Sequence, residues 1–156
     1  MEVGRPMLFQ KNLLSRTELR EIAEEIARAE ASCSGEIRIC IQKRKRRKDR
    51  HLSLFDRALM EFQRLGMHRT EYRTGVLLFI CLQDHVFQII ADEGIHKKLP
   101  QSEWDALAKG LSKHFKGGNF CRGICEIVRR AGEILKEHFP KRSDDRNELS
   151  DEVVID

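Results

Sequence analysis

Two apolar runs flanking a short polar break constrain this chain more than any other feature. Val76 to Leu82 is a continuous apolar run, Asp84-His85 interrupts it, and Val86 to Ala91 resumes it. The first run is far short of the roughly 18 residues a membrane span needs, and its length suits a strand. A strand apolar on both sides must be buried on both faces. The break reads as a tight hairpin, with Asp84 able to take a left-handed conformation. A sheet built on such a strand needs helices above and below it.

The rest of the chain supplies them. Ser15-Arg16-Thr17-Glu18 has the form of a capping box. Leu19, Ile22, Ala23, Ile26 and Ala27 follow at helical spacing, predicting an amphipathic helix that ends near Ser34-Gly35. Ile37, Ile39 and Ile41 alternate with Glu36, Arg38 and Cys40, which predicts a strand from Glu36 to Gln42. A helix is expected from Ser53 to Leu65, with Leu54, Ala58, Phe62 and Leu65 inward and Gly66 as its stop. After the hairpin, Trp104, Leu107, Ala108, Leu111 and Phe115 mark a third helix, stopped by Gly117-Gly118-Asn119. Phe120 to Leu135 gives the most regular helical stripe. The order is helix, strand, helix, strand, strand, helix, helix. Its first two strands are joined through a helix and are therefore parallel, and the third is antiparallel to the second. The expected fold is α/β, a small mixed sheet sandwiched between helices.

A chain of 156 residues suits one domain. Residues 1–14 form an N-terminal segment with no signal-peptide pattern, 15–140 the domain, and 141–156 a charged tail expected to be disordered. The tail carries three basic and six acidic residues, while Lys43 to Arg50 holds seven basic residues and one acid. The five cysteines form no CxxC pair and mostly sit in apolar runs, as buried thiols of a reducing compartment do. The expected location is the cytoplasm.

Several short stretches, in order, resemble the TPM domain found in thylakoid and bacterial proteins. They are Ser34-Gly35-Glu36-Ile37, Thr74-Gly75-Val76-Leu77-Leu78, Gln83-Asp84-His85, Ala91-Asp92-Glu93-Gly94-Ile95 and Phe115 through Gly123. The resemblance implies a helix–sheet–helix sandwich. It also implies the phosphatase activity attributed to some members and the metal binding attributed to others. Many relatives carry two acids and an arginine after the central strand; here Gln83-Asp84-His85 keeps one acid and places a histidine in the basic position.

Two candidate sites follow from the topology. Asp84 and Asp92 lie at opposite ends of the third strand, roughly 20 Å or more apart at about 3.3 Å per residue. At the carboxyl edge, Asp84, His85 and the basic run Lys43, Arg44, Lys45, Arg46, Arg47 and Lys48 gather where open α/β sheets commonly bind ligands. There the run would stabilise a phosphate ester, Asp84 would hold a metal or attack phosphorus, and His85 would move a proton. At the other end, Glu36, Asp92 and Glu93 offer oxygen ligands for Ca²⁺ or Mg²⁺, unless Arg73 takes Glu36 or Asp92 as an ion-pair partner.

Other chemistries find little support. Cys40 and Arg46 match the bare C-x5-R spacing of cysteine phosphatases, but no glycine lets the intervening loop wrap a phosphate. The six histidines include no HExxH. The basic run has no interleaved aromatic residue on which bases could stack, so nucleic acid ranks last among partners. A non-catalytic module whose sheet edge or basic loop docks on a protein, membrane or polyanion partner, a membrane-associated protein among them, is the alternative to an enzyme.

Overall fold

The computed structural model describes residues 14–112, 119–143 and 153–155. Helix α1 (Arg16–Ala31) opens with the expected capping box: the Glu18 amide donates to Ser15 Oγ at 3.1 Å, and the Ser15 amide donates to Glu18 Oε1 at 2.9 Å. Strand β1 (Glu36–Gln42) follows, then α2 (Leu54–Arg64), β2 (Gly75–Cys81) and β3 (Val86–Ala91). A single helical turn α3 (Glu93–His96), α4 (Gln101–Leu111), α5 (Phe120–His138) and β4 (Val154–Ile155) complete the order.

The sheet order is β3-β2-β1-β4. Strands β1 and β2 pair in parallel from Glu36↔Gly75 to Gln42↔Cys81, and β2 and β3 pair antiparallel. This is the mixed α/β sandwich expected from periodicity. All seven residues of β2 are buried. One face carries Ile37, Ile39, Ile41, Val76, Leu78 and Ile80 into a large core with α1, α4 and α5; Trp104 is fully buried there. The other face carries Cys40, Leu77, Phe79 and Ile90 into a smaller core with Ala58 and Phe62 of α2. Alternating residues of one strand thus feed two cores.

Three details differ from expectation. Strand β2 ends one residue earlier, and the turn runs from Leu82 to His85, closed by the His85 amide donating to Leu82 O at 3.2 Å. The left-handed residue is His85 (φ 54), not Asp84. Periodicity also missed α3, which is too short to show a period. Asp92 caps it by accepting from the Glu93 amide, and Gly94 permits it: a Cβ there would lie 2.2 Å from Tyr72 O and 2.5 Å from Arg73 O.

The tail also behaves differently from a wholly disordered segment. Val154 and Ile155 pair in parallel with Cys40 and Ile41, making a fourth strand from the only aliphatic cluster after residue 141. Phe115, Gly117 and Gly118, expected to finish and stop α4, lie outside the described residues. Among the described residues, no helix is long and apolar enough to cross a membrane.

Candidate functional site

The carboxyl edge of β1 and β2 brings together part of what the sequence suggested. β1 runs directly into the basic run, and β2 into the turn that carries Asp84 and His85. The two connections are tied: the Leu82 amide donates to Gln42 O at 3.0 Å, the Gln83 amide to Lys43 O at 3.1 Å, and the Lys45 amide to Gln83 Oε1 at 3.4 Å. Asp84 and His85 are exposed. Asp84 Oδ2 accepts from the Cys81 thiol at 3.5 Å, and the His85 ring stands edge-on to Phe120 at 6.3 Å between centroids. A left-handed backbone costs an ordinary residue roughly 1–2 kcal/mol, so His85 is held in place against a local cost. Beside it lies a recess of about 250 Å³, lined by Leu54, His85, Phe87, Gln88, Asp105 and Lys109 among others.

Arg57 lies under this edge and was not singled out by periodicity. It is 5% exposed. Its Nη2 donates to Gln42 Oε1 at 2.7 Å and to Cys81 Sγ at 3.2 Å, and its guanidinium sits 5.6 Å from the centre of the Phe79 ring. Its Nε is buried without a partner. No described carboxylate pairs with it. Burying a cation without an anion costs several kcal/mol, and among the described residues no carboxylate offsets that cost for Arg57. Cys81 links Arg57 to Asp84, because it accepts from one and donates to the other. A signal did exist in the sequence: Arg57 and Glu61 lie three and seven residues after Leu54, on the face that meets the sheet.

The basic run is not a uniform solvated loop. Arg46 Nη2 donates to buried Glu61 at 2.7 Å, and Arg46 Nε lies 3.8 Å from buried Asp49. Arg64 Nε donates to the same Glu61 at 2.8 Å. Arg47–Asp49 forms a 3-10 turn. Arg46 is therefore a structural anchor, while Arg47 and Lys48 are exposed. Cys40 is fully buried with its thiol 3.8 Å from Glu61, and is thus no surface nucleophile.

At the opposite end, Arg73 takes Asp92. Its Nε and Nη2 donate to the two oxygens of Asp92 at 2.6 and 2.8 Å, and its Nη1 lies 3.4 Å from Glu93. Hydrogen bonding to Asp92 raises the Arg73 pKa above its usual value. Glu36 is buried and has a partner of its own. Among the described residues, no three His, Cys, Asp or Glu side chains are grouped to hold a metal ion.

A separate groove of about 560 Å³ runs between α1 and α5, lined by Glu18, Glu21, Glu25, Arg28, Cys121 and Cys125 among others. Burial, then Cys125 and the nearby glutamates, push the Cys121 thiol up to about 12. All five cysteines are free thiols, as expected, and all but Cys125 are buried.

The sequence and the fold place the chain in a known class. The TPM domain family matches residues 8–134, and the chain belongs to that family. It is similar to the BA42 protein from the psychrophilic bacterium Bizionia argentinensis. The identity is 32% and the TM-score 0.81, over 92% of this chain and 95% of that one. The N-terminal domain of a P. gingivalis protein has the same fold at 20% identity, with a TM-score of 0.67 over 81% of this chain and 79% of the other. Among functionally curated proteins, none matches.

Proposed function

We propose that this TPM domain binds a phosphate-bearing ligand at the carboxyl edge of its sheet. The observation that carries this reading is Arg57, a buried guanidinium with no carboxylate partner among the described residues, beneath the turn of Asp84 and His85. Its charge favours an oxyanion, for which guanidinium geometry is well suited. The recess beside His85 gives room for the group esterified to the phosphate. Exposed Lys48 and Arg47, with Lys43 and Lys45, add a positive field around the entrance.

In this reading His85 moves a proton and Asp84 is the attacking or metal-holding carboxylate. Ca²⁺ or Mg²⁺ enters as a co-ligand of phosphate: Mg²⁺ is commonly held by one or two carboxylates plus phosphate oxygens. Glu36, Asp92 and Glu93 serve structure instead, because Arg73 engages two of the three. We place the domain in a reducing cytoplasm on the ground of its free thiols. The alternative, a non-catalytic module for a protein partner, draws on a different region, the outer edge of β1.

The test is a titration of isotope-labelled protein with inorganic phosphate, with and without Mg²⁺. Shifts at residues 43–48 and 82–85 and at the Arg57 Nε–H are the expected result. No shift there at millimolar phosphate removes the reading. Turnover of a phosphate monoester that survives intact in Asp84→Asn protein removes the catalytic role of Asp84 alone.

A further inference from the structure

Strand β1 has two unequal sides. Toward β2 it is paired along its whole length, Glu36 to Gln42. Toward the outside, among the described residues, it is paired at Cys40 and Ile41, by β4. The outer side is closed at its beginning, where the Ile37 amide donates to the Glu30 carboxylate at 2.6 Å. What lies between Glu30 and the basic run is a short stretch of strand edge, and an open edge is a template for another strand.

We propose that this edge is a docking site for an extended segment of a partner protein, two or three aliphatic residues flanked by acids, and that the chain's own residues 153–155 fill it in the partner's absence. The seated tail displays the chemistry the edge accepts. Val153 packs against the larger core and Val154 against the smaller one, so successive side chains are received on opposite faces. Ile155 is 43% exposed, and among the described residues the tail holds two ladder positions. So short a pairing opens readily and can be exchanged for a competing strand.

Charge sets the flanks and the direction. An occupant parallel to β1 in the tail's register runs past Ile41 toward Gln42 and the basic residues that follow, which favours acid at its carboxyl end. The tail's sequence has that form, with Asp151 and Glu152 before the aliphatic residues and Asp156 after them. Backbone pairing supplies affinity in such strand addition, and the alternating side chains supply selectivity. Arg57, Asp84 and His85 play no part in this proposal, which shares with the phosphate reading the basic residues after Gln42.

The experiment uses the full chain, wild type and Val154→Asp, with a fluorescent peptide of the sequence Ser-Asp-Glu-Val-Val-Ile-Asp. Val154→Asp unseats the tail and removes a tethered competitor, so the variant should bind the peptide about tenfold or more tighter than wild type. A control peptide with both valines changed to aspartate should not bind. Equal affinity of variant and wild type, or no binding to either, overturns the proposal. A concentration-dependent dimer of the wild type also overturns it, by assigning the edge to a second copy's tail. Should the variant fail to fold, excess peptide added to labelled wild type should move the amides of Cys40, Ile41, Val154 and Ile155 together; stationary signals overturn the proposal as well.

Discussion

The two ends of the sheet solve the problem of charge in opposite ways. At the amino end of β2, Asp92 is buried at 6% exposure but fully engaged, because Arg73 grips both of its oxygens and the Glu93 amide adds a third bond. At the carboxyl end, Arg57 is as deeply buried, yet its partners are an amide oxygen, a thiol and an aromatic face. The first arrangement is self-contained and holds a loop against a helical turn. The second leaves a charge that no described carboxylate answers. A paired buried charge is expected of a structural contact; an unpaired one needs another reason, and the phosphate ligand we propose is one.

That contrast can be broken by substitution. Gly94→Ala should have the largest effect, because its Cβ would meet backbone oxygens of Tyr72 and Arg73 that cannot step aside. A loss of about 3 kcal/mol or more is expected in urea denaturation; a loss below about 1 kcal/mol would mean the amino end is far softer than its geometry implies. Arg73→Met should cost about 2 kcal/mol, discounted for the half-exposed guanidinium, by leaving Asp92 buried without its cation.

Arg57→Met should go the other way. Replacing a buried cation that no described carboxylate pairs by an apolar chain of similar length should stabilise the fold by about 1 kcal/mol, the relief of charge exceeding the loss of the donor to Gln42 Oε1, while abolishing the phosphate-induced shifts. Destabilisation comparable to that of Arg73→Met would erase the distinction between the two ends. His85→Gly should raise stability by about 1 kcal/mol through relief of the left-handed backbone. A melting temperature that falls instead would show that the contact with Phe120 outweighs the strain.

Much of the fold was legible because its strongest signals are local and periodic. The apolar run of β2, the alternation of β1 and the Ser15–Glu18 capping box each specify an element from neighbouring residues. The hairpin was legible in outline, but the left-handed residue moved from Asp84 to His85 because β2 ends at Cys81 and the turn is longer. Helix α3 and strand β4 were missed because each spans about one period, so no repeat along the sequence reveals it. Of the candidate site, Asp84, His85 and the start of the basic run do meet at one edge. Arg46, also expected there, is ion-paired with Glu61 on another element.

The sequence by itself determined which residues must be inside: alternation and helical spacing are properties of the chain alone, and they dictate two cores on either side of one sheet. Tertiary structure alone decided how the charges are matched. Whether Asp92 faces Arg73, or Arg57 faces no acid among the described residues, depends on pairs brought together across 19 residues in one case and kept apart in the other. Ionic contacts act over a few ångströms of space with no periodic trace along the chain, so only the folded arrangement shows which charges are answered.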